Sequence, residues 1–353
     1  MGRHNVPANH LIMLLGNPQR VSEITDAQWN EVIEQGRKTQ LLGQLAARLH
    51  QANVFHLVTP AVQRHLVLAE LTAQRRKEAA MWELATMRQA IEPGITLVLL
   101  KGCAYAAAKD ANASGRIFSD VDIMVRRKDL PRVESALISA GWKPSRVSDY
   151  DLAYYRDWMH EVPPMEHVRR HTVVDLHHAI NPPVSRYHVE PEQLIKQLVE
   201  VLPGIYVLAA VDRVIHCALH LLQEGEPKKL IRDLFDLHLL LEQHFGSARS
   251  MAQLRDRAQE LNVTKLVNIG IGASRALFAA DLQPNTASSW LQACVVRAAR
   301  DANGNGSFVG EMAGIAVLAH SHWMKMPMRL LLPHLARKTW LIWFPEKSDT
   351  ADK

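Results

Sequence analysis

The chain has 353 residues, of which 48% are hydrophobic and 22% are charged. This composition is close to the globular average and excludes a disordered, collagen-like or coiled-coil chain. Forty-one Lys and Arg against 36 Asp and Glu leave a net charge of +5, which is too small for a dedicated nucleic-acid surface but suits anionic small molecules. The length predicts two or three folding units, because domains average ~150 residues.

The cysteines and the apolar runs indicate the cellular compartment. Cys103, Cys217 and Cys294 lie far apart, which excludes a disulfide framework or a Cys-x-x-Cys metal knuckle. Leu11 to Leu15 is shorter than a signal-peptide core, and no run approaches the ~20 apolar residues that span a bilayer. We therefore expect a cytoplasmic protein without a membrane span.

The first 92 residues predict a helical N-terminal region. Apolar residues recur at spacings of three and four, for example at Leu41, Leu45 and Leu49, as they do on one face of a helix. Thr25 or Asp26 is a candidate cap for the helix that enters at Trp29, and Thr59-Pro60 has the form of another helix start.

Residues 93–208 predict a small mixed sheet. Buried strands are expected at Ile95 to Leu100, at Arg116 to Val125 and at Thr172 to Leu176. The first of them runs through the tight turn Lys101-Gly102 into a helix. A short strand at Gly204 to Leu208 is also possible by the same criteria.

Residues 209–353 predict a helical C-terminal domain that forms the other wall of a cleft. One apolar stripe of this region comprises Val211, Val214, Ile215, Ala218 and Leu222. Helices before and after a central sheet define an α+β fold.

Two carboxylates carry the strongest chemical signal. Asp120 and Asp122 are two apart on a predicted strand, so they project from one face. Neighbouring anions repel, and a divalent cation such as Mg²⁺ neutralises them while leaving positions for phosphates. The alternative is an exposed strand end that pairs with nearby arginines. Because repulsion is relieved, loss of either carboxylate should leave the metal-free stability unchanged or raise it.

A third acid and a phosphate cradle extend this pattern. If the predicted strand that carries Asp175 lies beside the Asp120 strand, three carboxylates converge, as two-metal phosphoryl transfer requires. Lys101-Gly102 places a cation and close-approaching backbone amides at a helix N-terminus, where phosphates bind. Strand alternation puts His177 on the face of Asp175, as a candidate substrate contact or a structural histidine.

Four segments resemble the nucleotidyltransferases of the DNA polymerase β superfamily, specifically their bacterial group of uncharacterised nucleotidyltransferases. They are Leu99-Leu100-Lys101-Gly102, Arg116 to Val125, Gly141-Trp142 and Val174-Asp175-Leu176-His177. The resemblance spans about residues 95–180 and, more loosely, the His-rich helices from Ala210 to Leu241. It implies transfer of a nucleoside monophosphate from an NTP such as ATP to a hydroxyl or phosphate group of an acceptor, with Mg²⁺ or Mn²⁺ and release of pyrophosphate. The resemblance does not fix the acceptor, for which a small molecule, a saccharide and a peptide are all candidates.

The resemblance also assigns roles. It implies that Asp120 and Asp122 hold the metals and that Asp175 supplies the third carboxylate. The nucleotide would contact Lys101, Gly102, Arg116 and Ser119. The superfamily usually has Ser after the turn glycine, whereas this chain has Cys103.

Two other function classes have their own signals. Asp212, His216 and His220 occupy positions i, i+4 and i+8 of one predicted helix, as in a zinc or iron hydrolase, although the HExxH motif is absent. Alternatively, the fold could serve as a catalytically silent regulatory or toxin-neutralising partner. Glu166 and His167, which precede the third strand, could face the cleft, but we expect them to be exposed to solvent.

The C-terminal segment from Met324 to Phe344 combines basic residues with tryptophans. This composition is found in helices that lie in a membrane interface. Because Pro327 and Pro333 interrupt the pattern, we favour packing of its apolar face on the helical domain.

Overall fold

The computed structural model describes residues 9–145, 147–279, 289–301 and 307–343. Within these ranges, many helices surround one mixed sheet of seven strands. The predicted α+β class is therefore confirmed. None of the helices in this part of the chain combines the length and the apolar character that a membrane crossing requires.

The N-terminal helices begin where the sequence signals place them. They are α1 (His10–Gly16), α2 (Asp26–Thr39), α3 (Leu42–Gln51) and α4 (Pro60–Ala90). Thr25 caps α2, because its side chain accepts a hydrogen bond from the Gln28 amide while the Gln28 side chain accepts one from the Thr25 amide. This reciprocal pair satisfies two amides that the helix leaves free.

The sheet has the strand order β3-β4-β5-β2-β1-β7-β6. Its strands are β1 (Leu97–Leu99), β2 (Asp120–Met124), β3 (Trp142–Pro144), β4 (Met165–His167), β5 (Val173–His177), β6 (Val199–Leu202) and β7 (Ile205–Val207). The pairs β2–β5 and β1–β7 are parallel, and the other pairs are antiparallel. The four predicted strands are present, whereas β3, β4 and β6 were not expected. Between the strands lie α5 (Lys101–Ala107), α6 (Leu130–Ser139), α7 (Asp149–Trp158) and α8 (Pro191–Ile195).

The pairing of β2 with β5 fixes the position of the acidic residues. Asp122 is directly opposite Asp175, and Asp120 is two residues before Asp122, so all three belong to one face of the sheet. The other face carries Val121 and Leu176, which belong to a buried apolar cluster under α4 and α6. Burial of that face is what sets the register, because a slip of one residue would invert it.

The C-terminal helices share their core with the N-terminal ones. They are α9 (Ala210–Glu224), α10 (Pro227–His244), α11 (Ala248–Glu260), α12 (Thr264–Phe278), α13 (Trp290–Asp301), α14 (Phe308–Lys325) and α15 (Met328–Trp343). One cluster of buried side chains includes Leu14 and Leu45 from the N-terminal helices together with Leu234 and Phe235 from α10. The segments 1–92 and 209–353 thus contribute to a single core.

The last helix packs along one stripe. Leu331 and His334 are buried, whereas Leu332, Leu335 and Trp343 are exposed. This stripe also contacts the 93–208 segment, because the His334 ring stacks on Tyr150 and Tyr154 of α7. The expected packing on the helical domain alone is therefore wrong for His334, and Phe344 lies outside the described residues.

Candidate active site

A cavity of about 230 Å³ lies between the acidic face of the sheet and helices α9 and α10. Seven of the predicted site residues line it, namely Lys101, Gly102, Arg116, Ser119, Asp120, Asp122 and Asp175. The helical side contributes His216, His220, Glu224, Lys229, Arg232 and Asp233. The predicted cleft is thus a polar chamber with both signs of charge on its walls.

Asp122 is the most buried of the three aspartates, with 3% of its surface exposed. Its Oδ1 accepts a hydrogen bond from Lys101 Nζ at 2.7 Å and lies 3.1 Å from His177 Nε2. Burial by itself would raise the pKa of Asp122, but the Lys101 charge and the His177 hydrogen bond together lower it well below its ordinary value. Asp122 is therefore an ionised carboxylate that two donors hold in place.

Asp175 has the opposite environment. Its Oδ1 is buried and has no hydrogen-bond partner. Burial, followed by the neighbouring charges of Asp122 and Glu161, raises the pKa of Asp175 to about 7. A cation beside it would remove both penalties. Asp120, in contrast, accepts a hydrogen bond from Ser119 Oγ at 2.9 Å.

Lys101 begins α5 in a left-handed backbone conformation, with φ of 47°. This conformation is uncommon for a residue with a side chain. Burial would lower the pKa of Lys101, but Asp122 and Glu161 raise it above its ordinary value. The lysine is thus charged and is bound to a carboxylate of the site.

Gly102 lies against Arg116. A Cβ atom at Gly102 would lie 2.8 Å from Arg116 Nη1, closer than real Cβ contacts, and 3.3 Å from the Phe118 ring, which is a tight contact. Arg116 in turn donates from Nε to Asp236 Oδ2 of α10 at 2.9 Å. The predicted phosphate contact is therefore an ion pair between the two walls of the cavity.

A second set of buried ion pairs also joins the sheet region to helices α9 and α10. Asp110, which follows α5, is 2% exposed. It accepts two hydrogen bonds from Arg213 of α9 at 2.7 Å, and its Oδ1 lies 2.8 Å from His244 Nε2 of α10. These contacts fix both helices against the sheet region.

His177 lies behind the cavity wall. It is 1% exposed and is absent from the residues that line the cavity. Its ring lies between two carboxylates, with Nε2 3.1 Å from Asp122 Oδ1 and Nδ1 3.3 Å from Glu161 Oε2. The candidate substrate contact is therefore a neighbour of Asp122 that has no open path to a substrate in the cavity.

His160 and Glu161 are functional candidates that the sequence reasoning missed. Their segment runs antiparallel to the end of β5, since Val162 N–H donates to Leu176 O at 3.0 Å. Both line the cavity. The available sequence signal is the His-Glu dipeptide itself, but its approach to His177 depends on the fold.

The acidic residues suit the divalent metal that the resemblance implies. The orphaned Asp175 Oδ1, the raised pKa of that group and the facing Asp122 all favour a hard cation with oxygen ligands. Among the described residues, however, the set whose donor atoms all lie within 4.8 Å of one another is His160, Glu161 and His177. A second kind of metal centre is thus possible beside the aspartates.

The alternative metal ligands on α9, which are Asp212, His216 and His220, do not come together at one site. Asp212 is fully buried and accepts hydrogen bonds from Arg257 Nε and Nη2 at 2.8 and 3.0 Å, and it does not line the cavity. His216 and His220 do line it, and burial lowers the pKa of His216 to about 3. The three-ligand hydrolase site, which was the alternative interpretation of this spacing, is therefore not assembled.

Glu166 and His167 differ in their exposure to solvent. Glu166 is exposed, as expected, and lies 2.6 Å from His171 Nδ1. The expected exposure of His167 is wrong: it is 4% exposed and its ring contacts the Trp142 ring edge-on. Alternation along β4 turns it inward.

Comparison with known families supplies the class of chemistry. Residues 25–279 match the family described as "Uncharacterised nucleotidyltransferase". This range contains every cavity residue named above. No curated protein and no solved structure matches the chain. Since the match covers most of the chain and includes the whole site, the protein belongs to this family of uncharacterised nucleotidyltransferases.

Proposed function

We propose that the protein transfers a nucleoside monophosphate from an NTP to a hydroxyl or phosphate group of an acceptor, with Mg²⁺ or Mn²⁺. One observation carries the proposal. Asp122 and Asp175 face each other on parallel strands, and both line one cavity together with Asp120 and Lys101.

The reaction is an in-line displacement. The acceptor oxygen bonds to the α-phosphorus, the bond from that phosphorus to the bridging oxygen breaks, and pyrophosphate leaves. Asp120 and Asp122 would hold the metal, which neutralises phosphate charge when it is bound. Asp175 would complete the metal site or take the proton of the attacking hydroxyl directly.

The cations of the site would bind the triphosphate. Lys101 lies on the acidic face and is a charged donor there. Gly102, Arg116 and Ser119 line the cavity beside it, which supports a nucleotide on that side. His177 would act as a positioning residue for Asp122 and not as a substrate contact, since it is buried behind that carboxylate.

The acceptor would occupy the helical side of the cavity. His216 is held neutral by burial and can donate or accept a hydrogen bond without charge. Lys229, Arg232 and Asp233 are also on this side. Such a wall suits a polar acceptor, whether a small molecule, a saccharide or a peptide.

The test compares isosteric variants of three aspartates. With NTPs and a panel of saccharides and peptides, pyrophosphate release and the mass of the product are followed for Asp120→Asn, Asp175→Asn and the exposed control Asp157→Asn. Transfer should be lost in Asp120→Asn and retained in Asp157→Asn. Full transfer by Asp120→Asn at saturating Mg²⁺ would contradict the metal assignment.

Asp175→Asn separates binding from chemistry. Affinity for a non-hydrolysable NTP with Mg²⁺ should stay within a few-fold, while turnover falls by ~10² or more, which is typical of losing a positioned base. If affinity and turnover fall together, Asp175 holds the nucleotide metal instead.

A further inference from the structure

The two ring nitrogens of His177 each face a carboxylate, so the position of its proton matters. Asp122 is bound to Lys101 and is ionised, so it offers only acceptors, and His177 Nε2 must carry the proton at that contact. In a neutral imidazole the other nitrogen, Nδ1, then has a lone pair. That lone pair faces Glu161 Oε2 at 3.3 Å, and Nδ1 has no hydrogen-bond partner. In this orientation the buried Nδ1 is turned towards a carboxylate, a contact that a proton or a metal ion on Nδ1 would satisfy.

His160 is a third potential metal ligand beside Glu161 and His177. The donor atoms of His160, Glu161 and His177 all lie within 4.8 Å of one another. His160 Nδ1 is also buried without a hydrogen-bond partner, and the two imidazole rings are 5.2 Å apart. Ligands bound at ~2.0–2.2 Å around one tetrahedral ion are separated by roughly 3.3 Å. Small side-chain rotations would therefore bring the three donors onto a single ion.

We propose that His160, Glu161 and His177 form a second metal centre, which binds one transition-metal ion of the Zn²⁺, Fe²⁺ or Mn²⁺ class. Two imidazoles and one carboxylate select such ions over Mg²⁺, which prefers oxygen ligands. His160 and Glu161 line the cavity, so the ion can enter from it. This centre goes beyond the proposed transfer reaction and does not depend on it.

The outer contacts of the cluster match those of known metal sites. A histidine that binds a metal through one nitrogen almost always donates the other N–H to a carboxylate or carbonyl, which fixes its tautomer. His177 does this with Asp122 at 3.1 Å. A metal on Nδ1 would hold the ring in that tautomer and thereby fix the orientation of Asp122 towards the cavity.

The experiment measures metal binding directly. Protein stripped with EDTA and dialysed is titrated with ZnCl₂ by calorimetry, and the absorption bands of bound Co²⁺ report nitrogen ligands. We expect one tight zinc site per chain. Its affinity should fall at least tenfold in Glu161→Gln and in His160→Gln.

Two matched variants control for chance binding by exposed histidines. His171→Gln removes an exposed histidine that lies 2.6 Å from Glu166, and it should leave the tight site unchanged. Asp120→Asn should lose Mg²⁺-dependent transfer but keep zinc binding, so that failure of the proposed function and failure of this centre give different results.

Two results would overturn the centre. One is unchanged zinc stoichiometry and affinity in Glu161→Gln, a near-isosteric and partly exposed change that should preserve folding, which the melting temperature checks. The other is ¹⁵N NMR showing both His177 nitrogens protonated in the presence of zinc. His177 would then be an imidazolium between two carboxylates.

Discussion

Asp122 has two nitrogen donors on one oxygen, and the stability of the site depends on them. Lys101 Nζ is 2.7 Å away and His177 Nε2 is 3.1 Å away. Asp120 has only the Ser119 hydroxyl among the contacts described above. The two carboxylates therefore differ in what their removal leaves behind, although they share a strand.

Asp122→Asn should destabilise the metal-free protein. It leaves the ammonium of Lys101 without its ion-pair partner, which costs about 3 kcal/mol for a largely buried pair. The sequence alone predicts unchanged or higher stability for this variant, because it does not show that Lys101 pairs with Asp122. Urea unfolding in EDTA measures the change, with Asp120→Asn as the control, for which little change is expected. Equal stability of the two variants would show that the Lys101 contact contributes nothing.

Asp175 should make stability depend on pH. Its pKa is raised to about 7 in the folded protein, against ~3.9 in an unfolded chain. The folded state therefore holds the proton more tightly, and the free energy of unfolding falls as pH rises from about 4 to about 7. Asp175→Asn lacks this titration. Urea unfolding in EDTA should show the variant gaining a few kcal/mol relative to wild type between pH 5 and pH 8.

A constant difference between wild type and Asp175→Asn across that range would place the titration elsewhere. Adding Mg²⁺ provides the control. A cation that binds Asp175 favours its ionised form, so the slope with pH should be reduced.

At the scale of elements, the close approach of the segment before β2 to α5 depends on Gly102. Gly102→Ala should push Arg116 Nη1 and the Phe118 ring away from α5, at a cost of about 1–3 kcal/mol for overpacking. Gly94→Ala is the matched control, since a Cβ there meets no atom within 4 Å. Thermal unfolding of both variants measures the effect. If both lose the same stability, Gly102 is not needed for the Arg116 approach.

Strands that are buried and apolar were predictable, and the others were not. Leu97–Leu99 and Ile205–Val207 are short apolar runs, and Asp120–Met124 alternates, so local pattern was enough. In contrast, Val199–Leu202 is mostly exposed, and Trp142–Pro144 contains a proline at the sheet edge. Edge strands bury too little for a hydrophobic pattern to appear.

The acidic residues of the candidate site were predictable from the sequence, but their long-range contacts were not. Asp120, Asp122 and Asp175 could be found because two predicted strands carry acids where apolar residues are expected. The ion pair from Arg116 to Asp236 joins residues 120 positions apart, and the approach of Glu161 to His177 needs an extended segment beside β5. Contacts of this kind come from tertiary packing, which no local spacing encodes.

At the scale of the whole molecule, the shared core should make unfolding cooperative. Leu45→Ala removes a fully buried side chain from the cluster that joins the N-terminal helices to α10, which should cost about 2–5 kcal/mol. The transition should move to lower urea but stay single, by both circular dichroism and tryptophan fluorescence. Leu57→Ala, at a position 52% exposed, should have little effect.

Two separate transitions in Leu45→Ala would contradict a single core. The predicted segments 1–92 and 209–353 would then unfold as independent domains.

The buried ion pairs between the walls have a consequence for substrate selection. Arg116 with Asp236 and Asp110 with Arg213 join both sides of the cavity through largely buried side chains. Opening the cleft like a hinge would expose these charges unpaired, which is costly. Discrimination between acceptors should therefore follow a lock-and-key fit to a preformed chamber, so that acceptors too large for it are excluded by size before any chemistry begins.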